Sequence, residues 1–421
     1  MNKREFLRTA GGASLALLLG DKLWAQYAAQ PVERLAEDEA FWAAIRGKYR
    51  LKPDYINLEN GYYSMQATPV LETFIAKVRE QNYEAALYLR TKQVPDKLAA
   101  RTHLAAMAGC SPDELIITRN TTESLDTVIA GIDWKPGDEA VMAEQDYGHM
   151  LAQFRLQARR HGMVNTLVSL PIDPQSDDEI VQLYASAITP RTRLLMVCHM
   201  VNITGHILPV KKIAEMAHSK GVDVMVDGAH AFAHIDYKIP DLGVDYYGAS
   251  LHKWLGCPLG TGLLYVRREK IAALWPIFGD SANPADDNIG KLNHTGTHPV
   301  HTDLTIDAAI AFHESIGTPR KEARLRYLQN YWTNKVRGTK NVVMNTPTDP
   351  KRSCGIANVG IAGMKPADLA KTLMEKYKVF TVAIDNANVH GVRVTPHVFI
   401  QPQELDTFVK AIGEIARAAP A

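Results

Sequence analysis

The sequence is poor in cysteine, in net charge and in long apolar runs, and each shortage excludes a class of protein. Only four cysteines occur among 421 residues, none of them in a CxxC pair: Cys110, Cys198, Cys257 and Cys354. Neither a disulfide framework nor a structural metal site is therefore expected. Because 47 Lys and Arg face 46 Asp and Glu, the net charge is +1. A chain without a broad basic field is not expected to bind nucleic acid.

The apolar run nearest the N terminus is too short to span a membrane. Residues 9–20 supply about eleven small or apolar residues after a basic head, whereas a spanning helix needs about 20. A basic head followed by a short apolar run is typical of a secretory signal. Lys3-Arg4 followed by Phe6-Leu7 resembles a twin-arginine export signal. We expect a periplasmic protein without stable membrane insertion. A cytoplasmic protein with an amphipathic N-terminal helix is the alternative.

The body of the chain is predicted to be an α/β protein with a large and a smaller domain. Short apolar runs alternate with amphipathic stretches between residues 71 and 310, which predicts a mainly parallel sheet covered by helices on both faces. A helix-rich stretch (308–336), strands at 356–361, 379–384 and 391–394, and a closing helix at 402–418 predict a smaller α+β domain over 311–421. Residues 31–70 are expected to pack against that smaller domain.

Ligands of parallel α/β sheets bind at the carboxyl ends of the strands, so we examined the polar residues that follow each predicted strand. Asn120-Thr121-Thr122-Glu123 follows the strand ending at Thr118. This segment can cap the next helix, and its N–H groups and hydroxyls can also hold a phosphate.

Two further predicted strands end in groups that are costly to bury. Asp227 directly follows the predicted strand Val222–Val226 and is itself followed by Gly-Ala-His230. A carboxylate at the end of a buried strand needs a partner, because burying an unpaired charge is costly. Ser250-Leu-His252-Lys253-Trp254 follows the next strand, and desolvation would lower the pKa of this lysine, as Schiff-base chemistry requires. For each segment alone, a helix-capping Asp and a snorkelling Lys are the plain alternatives.

Together, a phosphate cradle, a buried carboxylate and a lysine on successive strands are what pyridoxal 5'-phosphate requires. The cradle anchors the phosphate, the carboxylate keeps the ring nitrogen protonated, and the lysine binds the cofactor covalently. The motif Val226-Asp227-Gly-Ala-His230 with Ser250-x-His252-Lys253, in which the lysine lies 26 residues after the aspartate, resembles the class V aminotransferase family of fold-type I pyridoxal-phosphate enzymes. The resemblance spans about residues 55–400.

The resemblance implies roles for further residues. It makes Lys253 the cofactor-binding lysine and Asp227 the partner of the pyridinium nitrogen. The residues it places at the phosphate are Thr121, Thr122, Ser250 and His252. Around the ring it implies Asn202 and His230 near the ring hydroxyl and Tyr147 stacked on the ring. Thr297 lies in a segment that a neighbouring subunit lends to the phosphate, which implies a homodimer.

Two more matches concern the substrate, which the resemblance makes an amino acid. Arg393, in Val392-Arg393-Val394, matches the family arginine that binds the substrate carboxylate, for which a planar guanidinium is suited. Asn60 and Gly61 lie in a segment that resembles the substrate-side loop of the family.

The resemblance is greatest to the isopenicillin N epimerase-like branch. Desulfurases need a mobile cysteine shortly before the arginine strand, and Cys354 is the only cysteine between residues 310 and 400. Since Cys354 abuts an apolar run, we interpret it as structural. We expect an enzyme acting at the α-carbon of an amino acid, with epimerisation as the first choice and an aminotransferase or β-lyase as the second. A non-catalytic amino-acid-binding protein on the same fold is the alternative from another class.

The export hypothesis makes a prediction about the mature chain. We expect periplasmic protein shortened by about 25–30 residues at its N terminus, and mass spectrometry of protein from fractionated source cells measures this. Arg4→Lys should make the precursor accumulate. Recovery of only the full-length chain from the cytoplasm would contradict the hypothesis.

Overall fold

The computed structural model describes residue 27 and residues 30–419 of the chain, so almost the whole signal-like segment lies outside the described part. The helices are α1 (Val32–Ala36), α2 (Glu39–Arg46), α3 (Thr68–Glu84), α4 (Ala86–Thr91), α5 (Gln93–Ala108), α6 (Thr121–Gly131), α7 (Gly148–His161), α8 (Asp177–Ala187), α9 (Val210–Ser219), α10 (Arg268–Ile271), α11 (Val300–Asp303), α12 (Ile306–Ile316), α13 (Thr318–Val336), α14 (Pro366–Tyr377) and α15 (Pro402–Ala418). The strands are β1 (Ile56–Asn57), β2 (Leu115–Thr118), β3 (Glu139–Ala143), β4 (Val164–Val168), β5 (Thr192–Cys198), β6 (Asp223–Asp227), β7 (Tyr246–Ser250), β8 (Gly262–Val266), β9 (Val342–Met344), β10 (Ala357–Ile361), β11 (Val379–Phe380), β12 (Val382–Asn386) and β13 (Val389–Val394).

A mainly parallel sheet organises the larger part of the described chain. Its strand order is β2-β8-β7-β6-β5-β3-β4. Only β8 runs antiparallel to its two neighbours, β2 and β7, while the remaining pairs are parallel. This confirms the predicted α/β fold class.

The apolar runs of the central strands are continuous because both faces of the sheet are buried. In β5, Leu195 and Val197 belong to the hydrophobic cluster on one face, whereas Leu194 and Met196 belong to the cluster on the other. Side chains alternate between the faces of a strand, so each face needs its own apolar set.

The sequence analysis misses or merges several elements. It does not predict β4, an edge strand in which only Val168 is buried and the polar residues Asn165 and Thr166 interrupt the apolar ones. The expected strand 379–384 is in fact two strands, because β11 pairs with β1 while β12 pairs with β13. The helix-rich stretch 308–336 is divided between α12 and α13 at Gly317, whose φ is +88°.

The C-terminal part builds a second, smaller core. Its antiparallel sheet has the order β12-β13-β10-β9, and α13, α14 and α15 contribute to the same hydrophobic cluster, which also includes Leu58. The N-terminal segment joins this part through pairing of β1 with β11 and through the Arg46–Glu404 ion pair at 2.7 Å. The domain boundaries at residues 70 and 310 stay predictions.

A loop after β5 connects the two cores at Gly205. This residue has a φ of +78°, and a Cβ atom there would overlap the carbonyl oxygen of Ile356, just before β10. The neighbouring His206 forms a β-bridge with Ser353. Only glycine meets both requirements, the left-handed backbone and the close approach.

We expect Gly205→Ala to destabilise the fold more than a change that only strains the backbone. Gly243→Ala is the matched control, because Gly243 has a φ of +71° and a Cβ atom there would meet nothing within 4 Å. Left-handed strain costs roughly 1–2 kcal/mol at either position, and forced packing at Gly205 adds about 1–3 kcal/mol. Thermal unfolding measures the difference. Equal melting temperatures for the two variants would contradict the close approach.

Candidate active site

The carboxyl ends of β5, β6 and β7 open on a cavity of about 460 Å³. Each strand contributes its last residue, namely Cys198, Asp227 and Ser250. The sequence-predicted residues that line the cavity are Gly61, Thr121, Thr122, Tyr147, Asn202, Asp227, His230, Ser250, His252, Lys253 and Arg393. The ends of these three strands, Gly61 from the N-terminal segment and Arg393 from the smaller sheet thus bring together side chains that are more than 300 positions apart in the sequence.

Asp227 is buried and Lys253 is half-buried in this cavity, and the two groups influence one another electrostatically. Burial raises the pKa of the Asp227 carboxyl, while the Lys253 amine and the N–H of Ala229, 2.9 Å from Oδ1, oppose that rise. Burial lowers the pKa of the Lys253 amine to about 8 against the opposing effect of Asp227. A lysine amine in this range is partly uncharged near neutral pH and can act as a nucleophile.

Two histidines adjoin the lysine and are held in the neutral form. His230 Nε2 lies 3.2 Å from Lys253 Nζ, and burial together with the nearby Lys253 lowers the pKa of His230 well below its usual range. The pKa of His252 falls to about 4 for the same two reasons. Its buried Nδ1 has no hydrogen-bond partner among the residues that the structure describes.

The first turn of α6 lines one end of the cavity, the end that is predicted to hold a phosphate. Asn120 caps the helix by accepting from the N–H of Glu123 at 2.9 Å. The hydroxyl oxygens of Thr121 and Ser250 are 2.7 Å apart, and the N–H of Thr121 donates to Ser250 Oγ at 2.9 Å. Helix N-termini present N–H groups without intrahelical acceptors. The capping and phosphate-binding interpretations are thus compatible, since one segment supplies both.

Arg393 reaches the cavity from β13 and is already paired on one edge. Its Nε and Nη2 donate to the carboxylate of Glu59, and its Nη1 donates to the backbone oxygen of Asn202 at 3.2 Å. Both side chains of the ion pair are nearly inaccessible to solvent. A guanidinium has five N–H donors, so two remain for a ligand carboxylate.

Asn60 is not among the residues that line the cavity, and its role as a substrate contact stays a prediction. Its side-chain amide donates to the backbone oxygens of Thr395 at 2.9 Å and Asn57 at 3.0 Å, so it fastens the 57–62 segment to the end of β13. Gly61 does line the cavity, and a Cβ atom there would be 3.5 Å from His230 and 3.0 Å from Thr395.

Thr297 and Tyr147 differ in their placement. Thr297 is exposed and lies outside the cavity of its own chain, so its implied role at a neighbouring subunit stays a prediction. Tyr147 precedes α7 and lines the cavity, with His149 edge-on at 5.1 Å. Its stacking on a bound ring also stays a prediction.

Sequence reasoning missed two buried carboxyl groups near the site. Glu59 lies inside the segment that resembles the substrate-side loop, but no local feature of the sequence marks it as the partner of an arginine more than 300 residues away. Asp146 accepts from the N–H of Ala143 at 2.8 Å. Burial and, to a smaller extent, the charge of Asp227 raise the pKa of Asp146 to about 8. In the sequence, the indication for Asp146 was its position directly before Tyr147, the residue predicted to stack on the ring.

The described residues fit pyridoxal phosphate. Thr121, Thr122, Ser250 and the start of α6 can hold a phosphate, Asp227 can face a pyridinium nitrogen, and Lys253 can bind an aldehyde. Within residue 27 and residues 30–419, no cluster of three or more His, Cys, Asp or Glu is arranged to hold a metal ion. No helix in the same part of the chain is long and apolar enough to cross a bilayer.

Comparisons with known proteins agree with this geometry. The family model described as aminotransferase class-V matches residues 67–384. Isopenicillin N epimerase of Amycolatopsis lactamdurans is 28% identical over 395 residues, which cover 89% of this chain and 99% of that protein. A probable cysteine desulfurase of Methanothermobacter thermautotrophicus is 25% identical over 414 residues, covering 88% and 97%. The apo structure of cysteine desulfurase from Thermococcus onnurineus NA1 superposes with a TM-score of 0.79 at 21% identity, covering 89% of this chain and 98% of that one. The chain belongs to the class V aminotransferase family, and its cofactor is pyridoxal phosphate.

Proposed function

We propose that this chain acts at the α-carbon of an amino acid and that epimerisation is its reaction. The observation that carries the proposal is that Lys253, Asp227 and a buried guanidinium, Arg393, line one cavity. The similarity to isopenicillin N epimerase over most of both chains supports the choice of reaction.

Each of these residues has a distinct task in the proposal. Bound pyridoxal phosphate supplies an electron sink that acidifies the α-carbon. Asp227 holds the proton on the ring nitrogen, and the two free N–H groups of Arg393 hold the substrate carboxylate. Lys253, with a pKa near 8, is suited to take a proton from one face of the α-carbon. Inversion results when a proton from solvent is added to the opposite face.

The state of the cysteines favours epimerisation over desulfuration. Cys354 is fully buried, and its thiol is directed at the backbone oxygen of Glu322. Cys198 lines the cavity, but its thiol donates to the backbone oxygen of Met200 at 3.1 Å. Burial raises the pKa of both thiols, so neither supplies the thiolate that attacks sulfur.

We also propose a homodimer. Large apolar side chains are exposed on α3–α5 and at the cavity, including Tyr83 (90% exposed), Val94 (76%) and Leu259 (59%). Grouped exposure of large apolar side chains supports an interaction surface. A second copy would cover these residues and bring its Thr297 segment to the phosphate end of the cavity.

Export is a further proposal that rests on the sequence of residues 1–30 alone. The Lys3-Arg4 and Phe6-Leu7 pairs support a twin-arginine route, and export of a folded protein suits an enzyme that acquires its cofactor in the cytoplasm.

Incubation of the holoenzyme with L- and D-amino acids in deuterated water tests the reaction. We expect deuterium at the α-carbon and the appearance of both enantiomers, because a proton removed at the α-carbon is replaced from solvent. Lys253→Ala should abolish the exchange. Mass spectrometry and chiral chromatography measure these results.

Other products would overturn the epimerase proposal. A keto acid without ammonia indicates transamination, a keto acid with ammonia indicates a lyase, and release of sulfide from cysteine indicates a desulfurase. Amino-acid binding without any exchange, in protein carrying its cofactor, indicates a binding protein.

Arg393→Ala should weaken amino-acid binding by about 2–5 kcal/mol, since one member of a buried charge pair is lost. The absorption spectrum of the bound cofactor should stay that of the wild type, because Arg393 is assigned to the substrate. Arg393→Lys should restore little binding, as a point charge does not reproduce two parallel hydrogen bonds. Spectral titration with amino acids measures affinity.

The matched control addresses the carboxylate that this change leaves unpaired. Removing Arg393 strands buried Glu59, which lowers stability on its own. The double variant Arg393→Ala/Glu59→Gln should regain stability but not amino-acid affinity. Wild-type affinity in either variant would show that the carboxylate is bound elsewhere.

A further inference from the structure

Trp254, the residue after Lys253, contacts the site through His230. Its indole Nε1 lies 3.3 Å from His230 Nδ1, and the other ring nitrogen of His230, Nε2, lies 3.2 Å from Lys253 Nζ. The imidazole therefore stands between the indole and the lysine amine. Both Trp254 and His230 are buried.

The indole determines which nitrogen of His230 carries a proton. An indole N–H only donates hydrogen bonds, so the Nδ1 that faces it must be the acceptor. Burial and the neighbouring cations Lys253 and Arg393 keep His230 neutral by lowering its pKa. A neutral imidazole with an unprotonated Nδ1 carries its proton on Nε2, which faces Lys253.

A donor facing Lys253 discriminates between the two forms of the lysine. The uncharged amine has a lone pair that can accept from Nε2–H, whereas an ammonium group has donors only. If His230 could shift its proton to Nδ1, Nε2 would accept from the ammonium form instead. The indole N–H opposes that shift because it would then face another N–H.

Two histidine rings and a backbone hydrogen bond hold Trp254 in place. The His234 ring lies 3.8 Å away with an interplanar angle of 37°, and the His397 ring stacks at 5.8 Å and 16°. The buried amine of Lys321 donates to the backbone oxygen of Trp254. The indole N–H therefore keeps its direction toward His230.

We propose that Trp254 is a positioning residue that fixes the Nε2–H tautomer of His230 and thereby favours the uncharged amine of Lys253. That amine is the form that condenses with the aldehyde of pyridoxal phosphate, in which a carbon–nitrogen double bond forms and water leaves. The inference rests on the proposed function only in taking Lys253 as the cofactor-binding residue.

Other charged or titratable groups act on the same pair and must be held constant. Those acting on Lys253 are Asp227, Cys198, Glu59 and Arg393, and those acting on His230 include His234 and His252. None of them is changed in the variants below.

Trp254→Phe removes the indole N–H and keeps an aromatic ring beside His234 and His397. In the full-length chain stripped of its cofactor, the rate of pyridoxal-phosphate capture should rise with pH as Lys253 loses its proton. We expect the midpoint of that rise to lie about one pH unit higher in Trp254→Phe, because one hydrogen bond of ordinary strength no longer opposes the ammonium form. At a fixed pH below the midpoint, capture should be about tenfold slower.

Trp134→Phe is the matched control. Trp134 is also buried, and its indole N–H donates to the backbone oxygen of Ile129 at 2.8 Å, but it does not line the cavity. This variant should keep the wild-type midpoint. A midpoint that is unchanged in Trp254→Phe, or that moves equally in both variants, would overturn the proposal.

A second measurement depends neither on the folding of Trp254→Phe nor on the proposed function. Nitrogen-15 spectra of histidine-labelled wild-type chain, with His230 assigned by comparison with His230→Gln, report the tautomer directly. The Nε2–H form supports the proposal, and the Nδ1–H form overturns it. Failure of the wild type to capture pyridoxal phosphate at Lys253 would instead contradict the proposed function and leave the tautomer result standing.

Discussion

The attraction between two desolvated ionisable groups, buried Asp227 and half-buried Lys253, is the constraint on which the rest of the site depends. Burial alone would neutralise both, raising the pKa of the carboxyl and lowering that of the amine. The charge of each group opposes the pKa shift that burial causes in the other. The carboxylate therefore stays available for a ring nitrogen, and the pKa of the amine stays near 8. Parallel strands β6 and β7, which end at the same edge of the sheet, bring the two groups together.

The histidines around this pair contribute hydrogen bonds rather than charge. Burial lowers the pKa of His230, His234 and His397 well below the usual range. In a neutral imidazole one nitrogen donates and the other accepts, so a hydrogen bond at one nitrogen fixes the role of the other. The charged groups that act on Lys253 are thereby few, namely Asp227, Glu59 and Arg393. Because Glu59 pairs with Arg393, it limits the positive charge beside Lys253.

The fold supplies the cofactor site, whereas side chains at its margin select the reaction. The edge of the central sheet and the start of α6 would serve any enzyme that labilises the α-carbon of an amino acid. The smaller sheet adds Arg393, and the 57–62 segment adds Glu59 and Gly61. A desulfurase needs an accessible thiolate, and both Cys198 and Cys354 are buried with a raised thiol pKa.

The sequence by itself determined the alternating β and α pattern, the strand-end placement of Asp227 and the 26-residue spacing to Lys253. These signals are local: continuous apolar runs mark strands buried on both faces, and polar residues that follow them mark the sheet edge. Tertiary structure alone decided that Glu59 pairs with Arg393 and that Trp254 faces His230. It also decided that the Asn60 amide binds the backbone oxygen of Thr395 and does not line the cavity. In the same way, β11 pairs with β1 and is separate from β12, with which it was expected to form one strand. Each of these depends on a contact between side chains or strands brought together only by folding. Local propensity and spacing carry no record of which distant residue will satisfy a buried donor or charge.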